Sequence, residues 1–135
     1  MSFIYSKVES LKGKDKVGSH QCVALVQWYV AGMPQTSKWK AGAIVLGNAH
    51  LQEGTAIATF VKGRYLNLPH GNHAAFFLRQ GDGGFWVMDQ WQDKPGGNVR
   101  PISERFITSL HQAQNTDGSW PQASDNADAF SVIEV

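Results

Sequence analysis

Residues 73–91 hold two apolar, aromatic runs, HAAFFLRQ (73–80) and FWVMDQW (85–91), joined by GDGG. Gly-rich links of this length between β-prone runs signal a hairpin, so the stretch predicts two adjacent antiparallel strands. A β-rich run, GTAIATFV (54–61), lies upstream with Gly63 in a turn behind it, and AFSVIEV (129–135) reads as a last strand. Helical spacing belongs mostly to the N-terminal part. Ile4, Tyr5, Val8 and Leu11 predict a short helix ending before Gly13. In VGSHQCVALVQWYV (17–30), Ser19 is a good N-cap, Val23, Leu25, Val26, Tyr29 and Val30 form an apolar face, and Gly32 and Pro34 stop the helix. SERFITSL (103–110) predicts a third short helix capped by Ser103. GMPQTSKWKAG (32–42) reads as a turn-rich connection, and HQAQNTDGSWPQASDNAD (111–128) as a long surface loop. Helices first and an antiparallel meander after them predict an α+β domain spanning 1–135.

At 135 residues, 42% hydrophobic and 17% charged, the chain is long enough and apolar enough for one core. A net charge of +1 leaves no electrostatic footprint for nucleic acid or an anionic membrane. No apolar run approaches the roughly 20 residues that span a bilayer, so no membrane insertion is expected. The N-terminal MSFIYSKVES lacks a basic region followed by an apolar stretch, and synthesis in the cytoplasm without a cleaved signal peptide is expected. One cysteine excludes an intramolecular disulfide and a zinc site of several thiolates.

That cysteine, Cys22, falls at the third helical position if Ser19 caps the helix. There the helix dipole favours a thiolate, the nucleophilic form. A lone cysteine is also a common core residue. Of the five histidines, His20 lies two residues from Cys22 and points to another side of the helix. His50 and His111 lie outside the strands. His73 opens a predicted strand, and a strand-edge imidazole facing a helix N-terminus suits a cysteine hydrolase. A third group must orient the imidazole, and Asp89 and Gln90 are polar residues in an otherwise apolar strand beside that of His73. Hairpin parity decides between them. A clean four-residue GDGG loop puts Gln90 on the face of His73, whereas a loop one residue longer or shorter, or a bulge, puts Asp89 there. Asp89 is the better stabiliser of an imidazolium.

His20, Cys22, His70 and His73 match no strong zinc spacing, and GDGG lacks the Lys-Ser/Thr and helix of a phosphate loop, so no metal or other cofactor is expected. Of the five tryptophans, Trp28 and Trp86 read as core, while Trp39, Trp91 and Trp120 are candidates to wall a substrate groove. The same aromatics also fit a non-catalytic cell-wall or carbohydrate-binding module, and a degenerate interaction module is a further alternative.

The helix opening GSHQCVALVQ and the strands GTAIATF, HAAFFL and FWVMDQW resemble the NlpC-like and CHAP superfamily of papain-like cysteine amidases. More narrowly, these segments with DQW and the ending DNADAFSVIEV resemble bacterial proteins close to the amidase effectors of type VI secretion. The resemblance implies a papain-like (NlpC-type) fold with N-terminal helices on an antiparallel sheet. It further implies a cofactor-free hydrolase of an amide bond in peptidoglycan peptide stems or crosslinks. Carried over, Cys22 is its nucleophile, His73 its base and Asp89, or alternatively Gln90, its third residue. It also implies an antibacterial toxin secreted into the periplasm of a target bacterium, with a cognate immunity protein as partner.

Overall fold

The computed structural model describes residues 2–92 and 99–135. One eight-residue helix, α1 (Cys22–Tyr29), packs on an antiparallel sheet of six strands: β1 (Lys40–Ile44), β2 (Ala56–Thr59), β3 (Ala74–Gly81), β4 (Gly84–Asp89), β5 (Ser103–Thr108) and β6 (Phe130–Glu134). The spatial order is β1-β6-β2-β3-β4-β5, so the last strand lies between two of the first. The architecture is α+β.

Apolar residues cover both faces of the sheet, which is why β3 reads as a continuous apolar run rather than an alternating one. On one face Leu25, Val26 and Val30 meet Ala56, Ala58, Ala74, Phe76 and Met88. The three alanines let the short helix approach the strands closely. Val8 and Leu11 are buried against the same cluster. On the other face Ile57, Ala75, Phe77, Phe85 and Phe130 lie under Ala123, Ala127 and Ala129 of the C-terminal segment. Residues 111–128 are thus more than a surface loop, because two 3₁₀ turns, Ala123–Asp125 and Ala127–Ala129, cap this second face.

Four local expectations change. The first helix shrinks to a 3₁₀ turn, Val8–Leu11, because Ile4 is drawn into a bridge with Thr55. Residues 103–110 form β5 instead of a helix. β4 offers a full ladder from Gly84↔Thr108 to Asp89↔Ser103, and this long-range pairing overrides a weak local helix signal. Ser103 Oγ donates to Pro101 O rather than capping a helix. β1 emerges where a turn-rich connection was expected, its small residues held at the sheet edge by β6. Trp28, expected in the core, is 62% exposed on α1.

Candidate active site

The segment entering α1 is shaped by two residues of positive φ, Gly18 (+59°) and His20 (+68°). A Cβ at position 18 would stand 3.1 Å from that of Ala24, so this turn favours glycine twice over. Gln90 grips the segment from behind. Its Oε1 accepts the Val17 N–H at 3.0 Å, and its Nε2 donates to Val17 O at 3.0 Å and Gln21 O at 2.8 Å. The helix therefore starts later than Ser19 suggests. Gln21 is the N-cap and Cys22 the first helical residue, with the Ser19 hydroxyl accepting the Gln21 N–H at 3.4 Å.

Cys22 is half-buried. Its sulfur faces the His73 side chain and the Ala74 N–H, both of which act on its ionisation, and lies 3.9 Å from the Tyr65 hydroxyl. His73, just ahead of β3, is buried, and its Nε2 stands 2.7 Å from Asp89 Oδ2. That contact leaves Nδ1 for the thiol, since an imidazole has only two nitrogens. The backbone of His73 is fixed by Thr59, whose Oγ1 accepts its N–H at 2.9 Å.

A bulge decides which polar residue meets His73. The turn between β3 and β4 is only Asp82-Gly83, with Gly81 opposite Gly84, and this keeps the parity of a four-residue loop. Left alone, that register would bring Gln90 to the imidazole. Between Phe77↔Val87 and Arg79↔Trp86 the register slips at Leu78, every later residue changes partner, and Asp89 shares the face of His73. Gln90 is turned toward the α1 entry instead.

Asp89 is fully buried, and its Oδ2 also accepts from Arg105 Nε of β5 at 3.0 Å. Arg105 in turn donates to Asp125 Oδ1 at 2.7 Å and Ser124 O at 3.3 Å. Neither Tyr65 nor Arg105 was singled out in the sequence. Arg105 was hidden by the helical reading of 103–110. As a strand opposite β4, with Val87↔Arg105 in register, the same residues place it on the Asp89 face.

Burial would push the Cys22 thiol up, but its bond to His73 and that residue's charge, aided by Ala74 and Tyr65, bring it below the ordinary 9.0. For His73, burial would lower the value. The bonds to Asp89 and Cys22, and the charges of both, outweigh it and raise the imidazole from 6.5 to about 9. Burial likewise works against ionised Asp89, yet His73 and then Arg105 hold it below 3.8. Tyr65 is raised by burial and by the Cys22 charge, so it stays a donor. All three shifts favour the combination of thiolate, imidazolium and carboxylate.

These groups open into a groove of about 620 Å³. Its walls are the α1 start, loop 67–72, Trp91 and Gln92, and Arg105 with Ser124 and Asp125. Asn72 braces the loop through two 2.8 Å bonds with the Leu68 backbone. Of the three tryptophans expected to wall a groove, Trp91 does so. Trp39 is fully buried against Tyr65, its Nε1 donating to Pro34 O at 3.0 Å, and offers no face to a ligand. Trp120 lines a separate small notch on the far side of loop 66–72. His20 turns its Nδ1 toward Gln92 Oε1 at 3.1 Å, and among the described residues no group of three or more His, Cys, Asp or Glu is placed to hold a metal ion.

A helix-borne thiolate beside an imidazolium that a buried carboxylate orients is the constellation of cysteine hydrolases, here on an α+β scaffold. Residues 2–133 match the profile of the family described as domesticated amidase effector 2, and the chain belongs to that family. It is similar to a type VI secretion amidase effector 2 protein of Salmonella typhi, with 46% identity over 139 residues that cover 99% of this chain and 100% of that protein. A solved structure titled type 6 secretion amidase effector 2 (Tae2) superposes with a TM-score of 0.89 at 45% identity, covering 98% of this chain and 94% of the other.

Proposed function

We propose that this chain is a peptidoglycan amidase of the type VI secretion effector kind, cutting an amide bond in cell-wall peptide stems or crosslinks. Membership of an amidase effector family with near-full-length relatives supports the reaction class. The observation that carries the chemistry is the His73 imidazole held at 2.7 Å from Asp89 and interacting with Cys22 beside it. We read the fold as papain-like and NlpC-like, with the domain 1–135 holding the whole site.

The Cys22 thiolate attacks the scissile carbonyl, and the oxyanion forms against the Cys22 N–H, one of the donors a helix start leaves unpaired. Ser19 does not compete for it, since its hydroxyl takes the Gln21 N–H. The His73 imidazolium gives its proton to the leaving amine, an acyl-enzyme remains, and neutral His73 then activates water to release it. Asp89 orients the ring throughout and carries no bond-making role. Trp91 and loop 67–72 flank the extended peptide. The chain acts, on this reading, in the periplasm of a target bacterium, and a cognate immunity protein covers the groove in the producer.

Mass spectrometry of purified sacculi digested with wild type and with Cys22→Ala tests this. New muropeptides from wild type alone are expected, and their masses name the bond. Equal products from both proteins, or none from folded wild type, would overturn it.

A further inference from the structure

Arg105 is a half-buried cation with a specific geometry. Its side chain is 18% exposed, and its guanidinium uses three nitrogens on three acceptors: Asp89 Oδ2 at 3.0 Å, Asp125 Oδ1 at 2.7 Å and Ser124 O at 3.3 Å. The Trp91 ring covers it at 5.5 Å. Asp89 therefore has one cation on either side, His73 from just ahead of β3 and Arg105 from β5, both on the same oxygen. Its other oxygen, Oδ1, is buried and accepts from no described group. Among the described residues, the hydrogen bonds that hold the carboxylate are these two on Oδ2.

We propose that Arg105 is a positioning residue for the reaction, holding the Asp89 carboxylate against His73 and balancing the charge of the Cys22–His73–Asp89 set. The proposal rests on the cysteine-hydrolase reading above. Thiolate, imidazolium, carboxylate and guanidinium sum to zero. Without the guanidinium a net negative charge is left in a buried site, and the least costly relief is a proton on Cys22. The groups facing this set are Tyr65 toward the sulfur, His73 and Arg105 toward Asp89, and Asp125 toward Arg105. Asp125 is 68% exposed, so solvent screens its charge and it cannot replace or cancel the buried balance. Its bond aims Arg105, as does the Ser124 carbonyl. Through Ser124, whose Oγ donates to Asn72 O at 3.2 Å, the same anchor reaches the loop that walls the groove.

A second role is open to Arg105 on the same geometry, since it also lines the groove and would attract a substrate carboxylate. The experiment separates the two. Cys22 in wild type, Arg105→Met and Arg105→Lys is alkylated with iodoacetamide across the pH range, with no substrate present. Turnover on sacculi is measured in parallel, with Cys22→Ala as the reference. Arg105→Met is expected to shift the alkylation midpoint up by about one pH unit and to lower kcat by about ten- to a hundredfold. Arg105→Lys is expected to restore most of the wild-type midpoint. Midpoints that overlay in all three folded proteins, with only KM raised, would make Arg105 a substrate contact and overturn the proposal. Should Arg105→Met not fold, the uncharged Arg105→Gln takes its place: its midpoint must rise as predicted for Met, and one that overlays the wild type overturns the proposal. A Cys22→Ala protein as active as wild type would instead overturn the underlying reading.

Discussion

At the scale of single residues, the site is defined by opposed shifts. The Cys22 thiol, below its ordinary 9.0, and His73, raised to about 9, leave a pH window in which both are charged. Alkylation of Cys22 is expected well below the pH that a free cysteine needs, and turnover is expected to fall as pH rises through about 9 and the imidazolium is lost. Asp89→Asn removes the main charge raising His73, so the alkaline limb should move to lower pH. It also takes one of three acceptors from Arg105, which keeps Asp125 and Ser124, at a cost of about 1–3 kcal/mol in urea unfolding. Stability carries the same signature. His73, raised in the fold, contributes fully below 6.5 and loses that contribution as pH climbs through about 9. Asp89, lowered in the fold, contributes above 3.8 and loses it as pH falls through its depressed value. Taken by themselves these two groups favour the range between their ordinary values. The lowered Cys22 thiol gains stability as pH rises and offsets part of the His73 loss, and the acid limb of Asp89→Asn should be flatter. Equal slopes in both proteins by urea titration would show that the pair does not couple to folding.

At the scale of elements, the geometry depends on a hairpin with one extra residue. Both runs of that hairpin were legible because they are apolar, aromatic and separated by glycines, and so was a helix opening near Cys22. The bulge at Leu78 was not. Nothing in AAFFLR marks where a ladder slips, because a slip belongs to the pairing of two strands, here between Phe77↔Val87 and Arg79↔Trp86, and not to either sequence alone. Parity could state what a bulge would do without saying that one exists. β5 was misread for a related reason: SERFITSL has a cap residue and helical spacing, and only the partner strand makes it β. Gln90 shows what a buried polar residue does when it does not face His73. It is 1% exposed and holds the α1 entry with three bonds. Gln90→Ala leaves the Val17 N–H unpaired, while the Val17 and Gln21 carbonyls keep the His20 and Ala24 N–H. It should cost about 1–3 kcal/mol in urea unfolding, with slower turnover because Cys22 loses its fixed approach. A loss below about 0.5 kcal/mol would mean that water or neighbouring chain replaces the clamp.

On the scale of the whole molecule, β6 organises everything. It pairs with β1 on one side and β2 on the other, burying Val132 and Ile133. Ile133→Ala should cost about 2–5 kcal/mol, while Ile44→Ala, on an edge residue 66% exposed, should stay within about 0.5 kcal/mol. Chemical denaturation of the pair checks this, and similar losses at both positions would contradict the assigned burial. That AFSVIEV is a strand was readable from its composition. Its insertion between two early strands was not, because no local pattern encodes a partner some eighty residues away. The placement has a consequence for synthesis. A nascent chain stalled after β5 already contains Cys22, His73, Asp89 and Arg105, but not the strand that joins β1 to β2. It also lacks Ser124 and Asp125, the groove wall that aims Arg105. On the ribosome, then, this chain carries its reactive residues long before it owns a working site, and competence arrives nearly all at once with the final residues.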